Sequence, residues 1–312
     1  MRPNGDIVLR ADGLRMRYGT TDVLEGVTFE ARRGEVLAML GPNGAGKTTT
    51  IEILEGFRRR SAGRVEVLGA DPAHGDEDWR ARVGIVLQSW RDHGRWRVRE
   101  LLAHLGTYYA GHSTPEVRRP WNAAELIGVV GLGAHADKQV RMLSGGQRRR
   151  LDVAIGMVGR PELLFLDEPT AGFDPQARRE FHELIAELSA EGATTIMLTT
   201  HDLAEAEKLA DRIVILDRGR IIADGTADEL AEQIVGEDEV HWTLDGQRYV
   251  RSTKDSTRFV HDLFKKHGDD ISGLAVRPSS LEDTYLALVH RAESGEEIRA
   301  AGDEADAKEP VR

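Results

Sequence analysis

The sequence predicts an α/β fold built around a mostly parallel β-sheet, and three observations lead to this prediction. Short apolar runs alternate with amphipathic stretches of helical periodicity, which is the pattern of parallel strands joined by helices. A glycine-rich segment at residues 41–48 lies directly between an apolar run and a helical stretch. Another apolar run, residues 163–166, leads straight into the acidic pair Asp167 and Glu168. Both polar segments therefore follow directly from predicted buried strands.

The elements of the first 230 residues follow from periodicity and from glycine and proline punctuation. Strands are predicted at residues 7–14, 27–32, 36–40, 65–69 and 83–87, and again at 163–166, 195–198 and 213–216. A turn at Gly19 separates the first two strands. From residue 99 to about 159 the pattern becomes helical, with Leu101, Leu102 and Leu105 at core-facing spacing, which predicts a helical subdomain. This first, α/β domain is expected to span residues 1–230.

A second, smaller domain is expected because 312 residues suffice for more than one core. It is predicted to contain a hairpin of strands 240–244 and 248–250 around Asp245-Gly246, a helix through Phe259 and Leu263, and a final helix at 280–289. These elements predict an α+β accessory domain at residues 231–291. The remaining residues, 292–312, are rich in Glu, Asp, Ala and Gly and are predicted to be disordered.

The composition argues against several classes of protein. The formal net charge is −11, from 42 Lys plus Arg against 53 Asp plus Glu, so a nucleic-acid partner is not expected. Two arginine runs, residues 58–60 and 148–150, could form a basic patch, but solvated helix and loop faces explain them more simply. The chain has no cysteine, which excludes disulfides and thiolate metal sites. There is neither a secretory signal nor an apolar run of the roughly 18–20 residues that cross a bilayer, so we expect any membrane role to come through a partner.

The segment at residues 41–48 fits the phosphate-loop pattern G-x-x-x-x-G-K-[ST]. Its glycines allow backbone N–H groups to turn towards phosphate oxygens, Lys47 supplies a positive charge, and the Thr48 hydroxyl is a ligand for Mg²⁺. A glycine-rich turn that merely joins a strand to a helix is the alternative, and the Lys-Thr pair argues against it. The predicted nucleotide-binding residues are Gly41, Pro42, Asn43, Gly44, Ala45, Gly46, Lys47, Thr48 and Thr49.

A pair of carboxylates, Asp167 and Glu168, follows the apolar strand at residues 163–166. We expect Asp167 to hold the Mg²⁺ shell and Glu168 to polarise a water for attack on the γ-phosphate. The alternative is an acidic strand end solvated at a turn, which is common for one carboxylate and less so for a pair. Together with the phosphate loop, the acidic pair predicts a nucleoside triphosphatase of the P-loop fold.

A third motif, Leu143-Ser144-Gly145-Gly146-Gln147, opens a helix with Ser144 in the capping position and two glycines that let the backbone approach an anion. With this motif the sequence resembles the ATP-binding subunits of ATP-binding cassette (ABC) transporters, whose signature motif reads LSGGQ. The resemblance covers roughly residues 7–230. It implies that two subunits pair head to tail, so that the signature of one closes over the phosphate loop of the other.

The resemblance also assigns roles to single residues. It matches Tyr18 to the adenine-stacking aromatic, Gln88 to the Q-loop glutamine, which serves both catalysis and the metal, and Asp174 to the D-loop aspartate. His201 matches the switch histidine that contacts the γ-phosphate. Each residue has an ordinary alternative: sheet-edge packing for Tyr18, a strand end for Gln88, helix capping for Asp174 and a loop position for His201. Their joint occurrence in the family's order favours the functional assignment.

The resemblance further implies ATP and Mg²⁺ as cofactors and a second ATPase subunit as partner, with a homodimer expected. Residues 219–226 and 278–288 look like those of the ATPases of bacterial drug exporters of the daunorubicin-resistance type. This implies export of a small molecule through a separate membrane permease, and a location at the cytoplasmic face of the membrane. The alternatives are an importer ATPase, a non-transport ATPase of the same superfamily, and a regulatory module that binds ATP without hydrolysing it.

The segment after Gln88 departs from the family pattern, which more often shows Pro and Leu before a Thr-Val-Arg-Glu-like run, and it contains two unusual tryptophans, Trp90 and Trp96. One hypothesis is that both tryptophans line a groove for a short helix of the membrane partner, since amphipathic aromatic residues are common at interfaces. Packing within the helical subdomain is an equal alternative.

Overall fold

The computed structural model describes residues 6–86, 93–190, 194–233, 238–244, 247–253 and 255–277. The chain divides into two compact units, Met1–Leu230 and Ala231–Arg312, and each is described by itself. Several predicted features lie outside the described residues, namely Gln88, Trp90, the hairpin turn Asp245-Gly246, the final helix at 280–289 and the tail at 292–312.

A six-stranded sheet forms the centre of the first unit. In spatial order its strands are β5 (Val83–Val86), β6 (Leu163–Asp167), β7 (Thr195–Thr200), β3 (Val36–Leu40), β8 (Arg212–Asp217) and β9 (Arg220–Gly225). The strands from β5 to β8 pair in parallel, and β9 runs antiparallel to β8. Every residue of β3 and β7 is buried, as expected for parallel strands covered on both faces. The predicted mostly parallel sheet is confirmed.

A three-stranded antiparallel sheet also belongs to the first unit. Its order is β2 (Thr21–Arg32), β1 (Ile7–Tyr18) and β4 (Ala62–Val67). The first two strands are longer than predicted, because a tight turn at Gly19, with φ +59°, lets the pairing continue to Tyr18 opposite Thr21. Strand β4 ends at Val67, two residues earlier than predicted, since Leu68 and Gly69 both have a positive φ.

The helices of the first unit fall into two groups. Those of the helical subdomain are α3 (Val98–Gly106), α4 (Ala123–Val129) and α5 (Gly145–Met157). Those that accompany the strands are α1 (Lys47–Leu54), α2 (Glu77–Ala81), α6 (Pro175–Ala190) and α7 (Leu203–Leu209). In the helical subdomain Leu101 and Leu102 are fully buried as predicted, whereas Leu105 is partly exposed.

A hydrophobic core joins the two sheets of the first unit. It contains side chains of β1 and β2, of helix α1, and of the central strands β3, β6 and β7, with Met39, Phe165 and Met197 fully buried. Burial of side chains of this size stabilises the fold by about 1.5–3 kcal/mol each. This packing stabilises the central strands, and the strands in turn fix the positions at which the polar loops begin.

The second unit contains a three-stranded antiparallel sheet and one longer helix, and helix α8 (Ala227–Gln233) precedes it in the chain. The elements are β10 (Asp238–Leu244), β11 (Gln247–Thr253), α9 (Ser256–His267) and β12 (Ile271–Arg277), with β10 in the middle of the sheet. The predicted hairpin forms, and Trp242 stacks on Tyr249 opposite it while its ring lies 5.5 Å from that of Phe259 in α9. The sequence analysis missed β12, in which Gly273 interrupts the alternation of apolar residues.

Candidate active site

The phosphate loop leaves the carboxyl end of β3 and ends where α1 begins at Lys47. Two of its glycines are required by space. A Cβ on Gly41 would lie 2.2 Å from the backbone oxygen of Leu216, and one on Gly46 would lie 2.6 Å from Cδ2 of Leu24. Gly46 also has φ +107°, which residues with a side chain rarely adopt. The loop is thus packed closely against β8 at Gly41 and against β2 at Gly46.

Lys47 is the buried cation of this loop, with only 5% of its surface exposed. Its ammonium group donates to the carbonyl oxygens of Gly41 and Pro42, at 2.8 Å and 3.1 Å. The same Nζ lies 3.3 Å from Oε1 of Glu168. The positive charge is therefore placed between the phosphate loop and the acidic pair.

Thr199 holds the acidic pair in place from the carboxyl end of β7. Its hydroxyl donates to Oδ1 of Asp167 at 2.5 Å and accepts the backbone N–H of Glu168 at 3.1 Å. On the other side, Oγ1 of Thr48 lies 3.2 Å from Oδ2 of Asp167. No role was predicted for Thr199, which is one of three threonines in this buried strand, so its place in the sequence does not single it out.

Glu168 has an unusual backbone conformation, with φ +41°. This left-handed region is sparsely populated by residues with a side chain, and such residues concentrate at functional sites. Its Oε2 lies 3.5 Å from Nδ1 of His201, whose side chain is about half exposed. The carboxylate therefore lies between Lys47 and His201, the two groups that the sequence analysis placed near a γ-phosphate.

The donors of Thr48 and Asp167 fit Mg²⁺. This ion prefers oxygen ligands and is commonly held by one or two carboxylates together with substrate phosphates and water. The Thr48 hydroxyl oxygen lies 3.5 Å and 3.2 Å from the two carboxylate oxygens of Asp167. Within the described ranges there is no group of three or more His, Asp or Glu side chains that could form a metal site by itself.

The LSGGQ segment forms the start of α5. The Ser144 hydroxyl accepts the backbone N–H of Gln147 at 3.3 Å, and the Gln147 side chain accepts the backbone N–H of Ser144 at 3.2 Å, which is a capping box. Ser144 and Gly145 are exposed, while Gly146 and Gln147 are partly buried. The predicted helix start with its free N–H groups is thus accessible on the surface of the subunit.

Three further residues were predicted to belong to the site, and the structure describes contacts for two of them. Tyr18 is 39% exposed, and the guanidinium carbon of Arg58 lies 5.2 Å from the centre of its ring. The Asp174 carboxylate accepts two backbone N–H groups of the first turn of α6, at 2.9 Å and 2.8 Å, so it performs the capping role considered as its alternative. Gln88 lies outside the described residues.

Trp96, the described member of the tryptophan pair, is 37% exposed. Its ring lies 5.6 Å from that of His93 and 4.9 Å from that of His104 in α3. Part of its surface therefore packs within the helical subdomain, and part remains open.

One interpretation of the arginine run at 148–150 is wrong. Arg149 does not lie on a solvated face: only 5% of its surface is exposed, and its Nε donates to the carbonyl oxygen of Pro169 at 2.9 Å. Consecutive residues of a helix point about 100° apart, so three arginines in a row cannot all face solvent on a packed helix. Arg150 reaches the backbone of Val130 and the carboxylate of Glu180 instead.

Comparison with known proteins gives consistent relatives. A family model described as ABC transporter matches residues 24–171, and another described as AAA domain, putative AbiEii toxin, Type IV TA system matches residues 137–207. The chain is 42% identical over 307 residues to Nod factor export ATP-binding protein I of Ralstonia nicotianae, covering 91% of this chain and 94% of that protein. It is 41% identical over 232 residues to Daunorubicin resistance ATP-binding protein DrrA3 of Streptomyces coeruleorubidus, covering 74% and 72%. A solved ATP-binding subunit of an ABC transporter matches with a TM-score of 0.64 at 26% identity, over 90% of this chain and 99% of that chain.

A phosphate loop after β3, an acidic pair after β6 and a histidine after β7 meet at one edge of a mostly parallel sheet, which defines a P-loop ATPase. With one relative 42% identical over 94% of its own length and another 41% identical over 72%, the chain belongs to the ATP-binding subunits of ABC transporters. It is an ATPase, and its ligand is ATP. Among the helices of the described residues, none is both long and apolar enough to span a membrane.

Proposed function

We propose that this chain is the ATP-hydrolysing subunit of an exporter. Two copies close around ATP and hydrolyse it, and the energy drives transport through a separate membrane permease. The observation that carries the hydrolytic part is the position of the Glu168 carboxylate, 3.3 Å from Nζ of Lys47 and 3.5 Å from Nδ1 of His201. A carboxylate between a phosphate-binding cation and a γ-phosphate contact is well placed to act on water.

The reaction follows from these positions. Lys47 and the loop N–H groups bind the β- and γ-phosphates, and His201 contacts the γ-phosphate. Glu168 takes a proton from the attacking water while the water oxygen bonds to the γ-phosphorus. The bond between that phosphorus and the β–γ bridging oxygen breaks, which leaves ADP and phosphate. Mg²⁺, held by Thr48 and Asp167, would neutralise charge on the phosphate oxygens. Gln88 is proposed to report the state of the site to the permease.

The proposal of a dimer rests on the LSGGQ turn. The chain carries one such turn and one phosphate loop, and Ser144 and Gly145 are exposed at the start of a 13-residue helix. Free N–H groups at a helix start favour an anion, so the turn of one subunit is suited to bind ATP held by the other. ATP then stabilises the dimer by mass action, and hydrolysis releases it. Tyr18 would stack on the adenine, and Asp174 would lie at the interface.

The export role is supported by the relatives. One of them is named for Nod factor export and matches over 94% of its length, and another is named for daunorubicin resistance. We therefore propose a small organic molecule as cargo, a permease as the membrane partner, and a location at the cytoplasmic face of the membrane. No nucleic-acid partner is proposed, in keeping with the net charge of −11.

The test uses the full chain with Mg²⁺ and ATP. Glu168→Gln should keep ATP affinity while phosphate release falls by at least about a hundredfold, the scale for losing one aligned catalytic group. The hydrolysis-blocked variant should also form an ATP-dependent dimer in light scattering. The exposed Glu183→Gln is the matched control and should leave both properties unchanged. Phosphate release at the native rate in Glu168→Gln would contradict the assignment of Glu168 as the base. A variant that stays monomeric with ATP would contradict the proposed dimer.

A further inference from the structure

The catalytic segment after β6 is held by two buried charged side chains that no step of the proposed reaction uses. We propose that Glu205 and Arg149 are positioning residues: they keep Glu168 in its left-handed conformation by binding the two residues that follow it. This inference rests on the proposed role of Glu168 as the base, and it names the residues that fix the position of its carboxylate.

Glu168 needs such support because of its backbone. With φ +41° it occupies a region that residues with a side chain leave unless their neighbours are held. On the amino-terminal side Thr199 binds its N–H at 3.1 Å. On the carboxyl-terminal side the Glu168 carbonyl accepts the backbone N–H of Ala171 at 3.2 Å, and Pro169 and Thr170 are bound by side chains of helices α5 and α7.

Arg149 holds the first of these two residues. Its Nε donates to the carbonyl oxygen of Pro169 at 2.9 Å, and only 5% of the arginine is exposed. It belongs to α5, the helix that starts at the LSGGQ turn. The position of the signature helix and the conformation of the catalytic segment are therefore joined by one buried, charge-assisted hydrogen bond.

Glu205 holds the second residue. The hydroxyl of Thr170 donates to its Oε1 at 2.7 Å, and both side chains are buried, at 2% and 4% exposure. Glu205 lies in the first turn of α7, which begins two residues after His201. The helix turn that binds the segment of Glu168 therefore lies close in the chain to His201, and the side chains of His201 and Glu168 are 3.5 Å apart.

Glu205 has two buried basic neighbours: burial lowers the pKa of Arg149 and of His182, and the nearby charge of Glu205 opposes this shift in both. Nε2 of His182, in α6, lies 3.5 Å away, but within the described residues this buried nitrogen makes no hydrogen bond. Arg178, also in α6, pairs with Asp202 at 2.8 Å rather than with Glu205. A buried carboxylate is costly, and here its close hydrogen bond to another side chain is the one to Thr170.

The decisive substitution is Thr170→Val, which keeps the side-chain shape and removes the hydroxyl. We expect kcat for ATP hydrolysis to fall about ten- to hundredfold, the scale for one hydrogen bond to a charged group, with ATP affinity unchanged. Thr170→Ser should restore kcat. The matched control is Thr194→Val, because Thr194, the residue before β7, is similarly buried but donates to the carbonyl of Pro161, away from the site, at 3.0 Å.

A double-mutant cycle separates positioning from a general structural role. In the Glu168→Gln background, Thr170→Val should cause no further loss of hydrolysis, since there is no longer a base to aim. An equal fold-loss in both backgrounds, or a kcat unchanged by Thr170→Val, would overturn the inference. If Thr170→Val does not fold, Arg149→Lys replaces it in the same cycle with the same two outcomes. Native hydrolysis by Glu168→Gln alone would instead overturn the proposed function itself.

Discussion

Nζ of Lys47 and Oε1 of Glu168 lie 3.3 Å apart, and their side chains are only 4% and 17% exposed. The pair joins the loop after β3 to the segment after β6, so the phosphate-binding cation and the proposed base form one electrostatic unit. Removing the charge of Lys47 weakens anion binding and leaves Glu168 largely buried without its counterion, whereas removing the charge of Glu168 leaves Lys47 buried without its own.

Lys47→Met should lower ATP affinity by roughly ten- to a hundredfold or more. The lysine is expected to make at least one hydrogen bond to a charged phosphate, worth about 1.5–3 kcal/mol, and its loss leaves Glu168 free to repel the triphosphate. Isothermal titration calorimetry with ATP measures this directly. Lys265→Met, an exposed position in α9, is the control and should bind normally. An unchanged dissociation constant for Lys47→Met would contradict the assignment of the phosphate loop.

The central sheet could be predicted because its strands are continuous apolar runs. Strands β3, β6 and β7 are buried on both faces, which leaves a strong signal in the sequence. The strand β9 was missed because only two of its six residues are fully buried and its apolar residues are interrupted by Asp224. A half-exposed edge strand of this kind is defined by pairing with its neighbour, which a single sequence does not show.

The site was predictable where a motif carries its own chemistry and unpredictable where tertiary contacts decide. Lys47, Thr48 and Asp167 were predicted as site residues from sequence motifs, and in the structure Thr48 lies 3.2 Å from Asp167 while Lys47 lies 3.3 Å from Glu168. Thr199 and Arg149 were missed, because their partners lie about 30 and 20 residues away along the chain. Nothing local distinguishes a threonine or an arginine that makes such a bond from one that faces solvent.

Gly41→Ala should destabilise the protein even without nucleotide. The added Cβ would lie 2.2 Å from the backbone oxygen of Leu216, which belongs to a buried strand and cannot rotate away. Overpacking of this kind lowers the free energy of unfolding by about 1–3 kcal/mol. Thermal or urea unfolding of the nucleotide-free protein provides the measurement. Gly145→Ala has no atom within 4 Å of its new Cβ and should unfold like the native protein; equal stability of the two variants would contradict the tight packing of the loop.

Ser144→Asp separates the two roles of the signature serine. Aspartate caps a helix as well as serine does, so α5 should keep its stability, whereas Ser144→Ala should lose about 1 kcal/mol. The aspartate charge, however, would face the triphosphate of the opposite subunit and should abolish the ATP-dependent dimer of the Glu168→Gln variant. Light scattering with and without ATP tests this. A dimer that survives Ser144→Asp would show that the signature turn does not approach the nucleotide.

Glu55, the residue that follows α1, should make the stability of the protein depend on pH. It is 7% exposed, and burial, reinforced by the nearby charges of Asp167 and Glu52, raises its pKa from 4.5 to about 8. A folded-state pKa above the unfolded one means that the folded protein binds this proton more tightly. The contribution of Glu55 therefore becomes unfavourable as the pH rises from about 4.5 to about 8, and stays constant above that range.

Glu55→Gln imitates the protonated carboxyl and should remove this dependence. Below pH 4.5 the variant and the native protein should be equally stable, and between pH 5 and 8 the variant should gain, reaching an advantage on the order of a few kcal/mol. Urea unfolding at pH 5.5 and pH 8.5 measures the difference, with the exposed Glu187→Gln as control. A gain that is the same at both pH values would mean that Glu55 is already ionised at the lower one, and that its burial does not hold the proton.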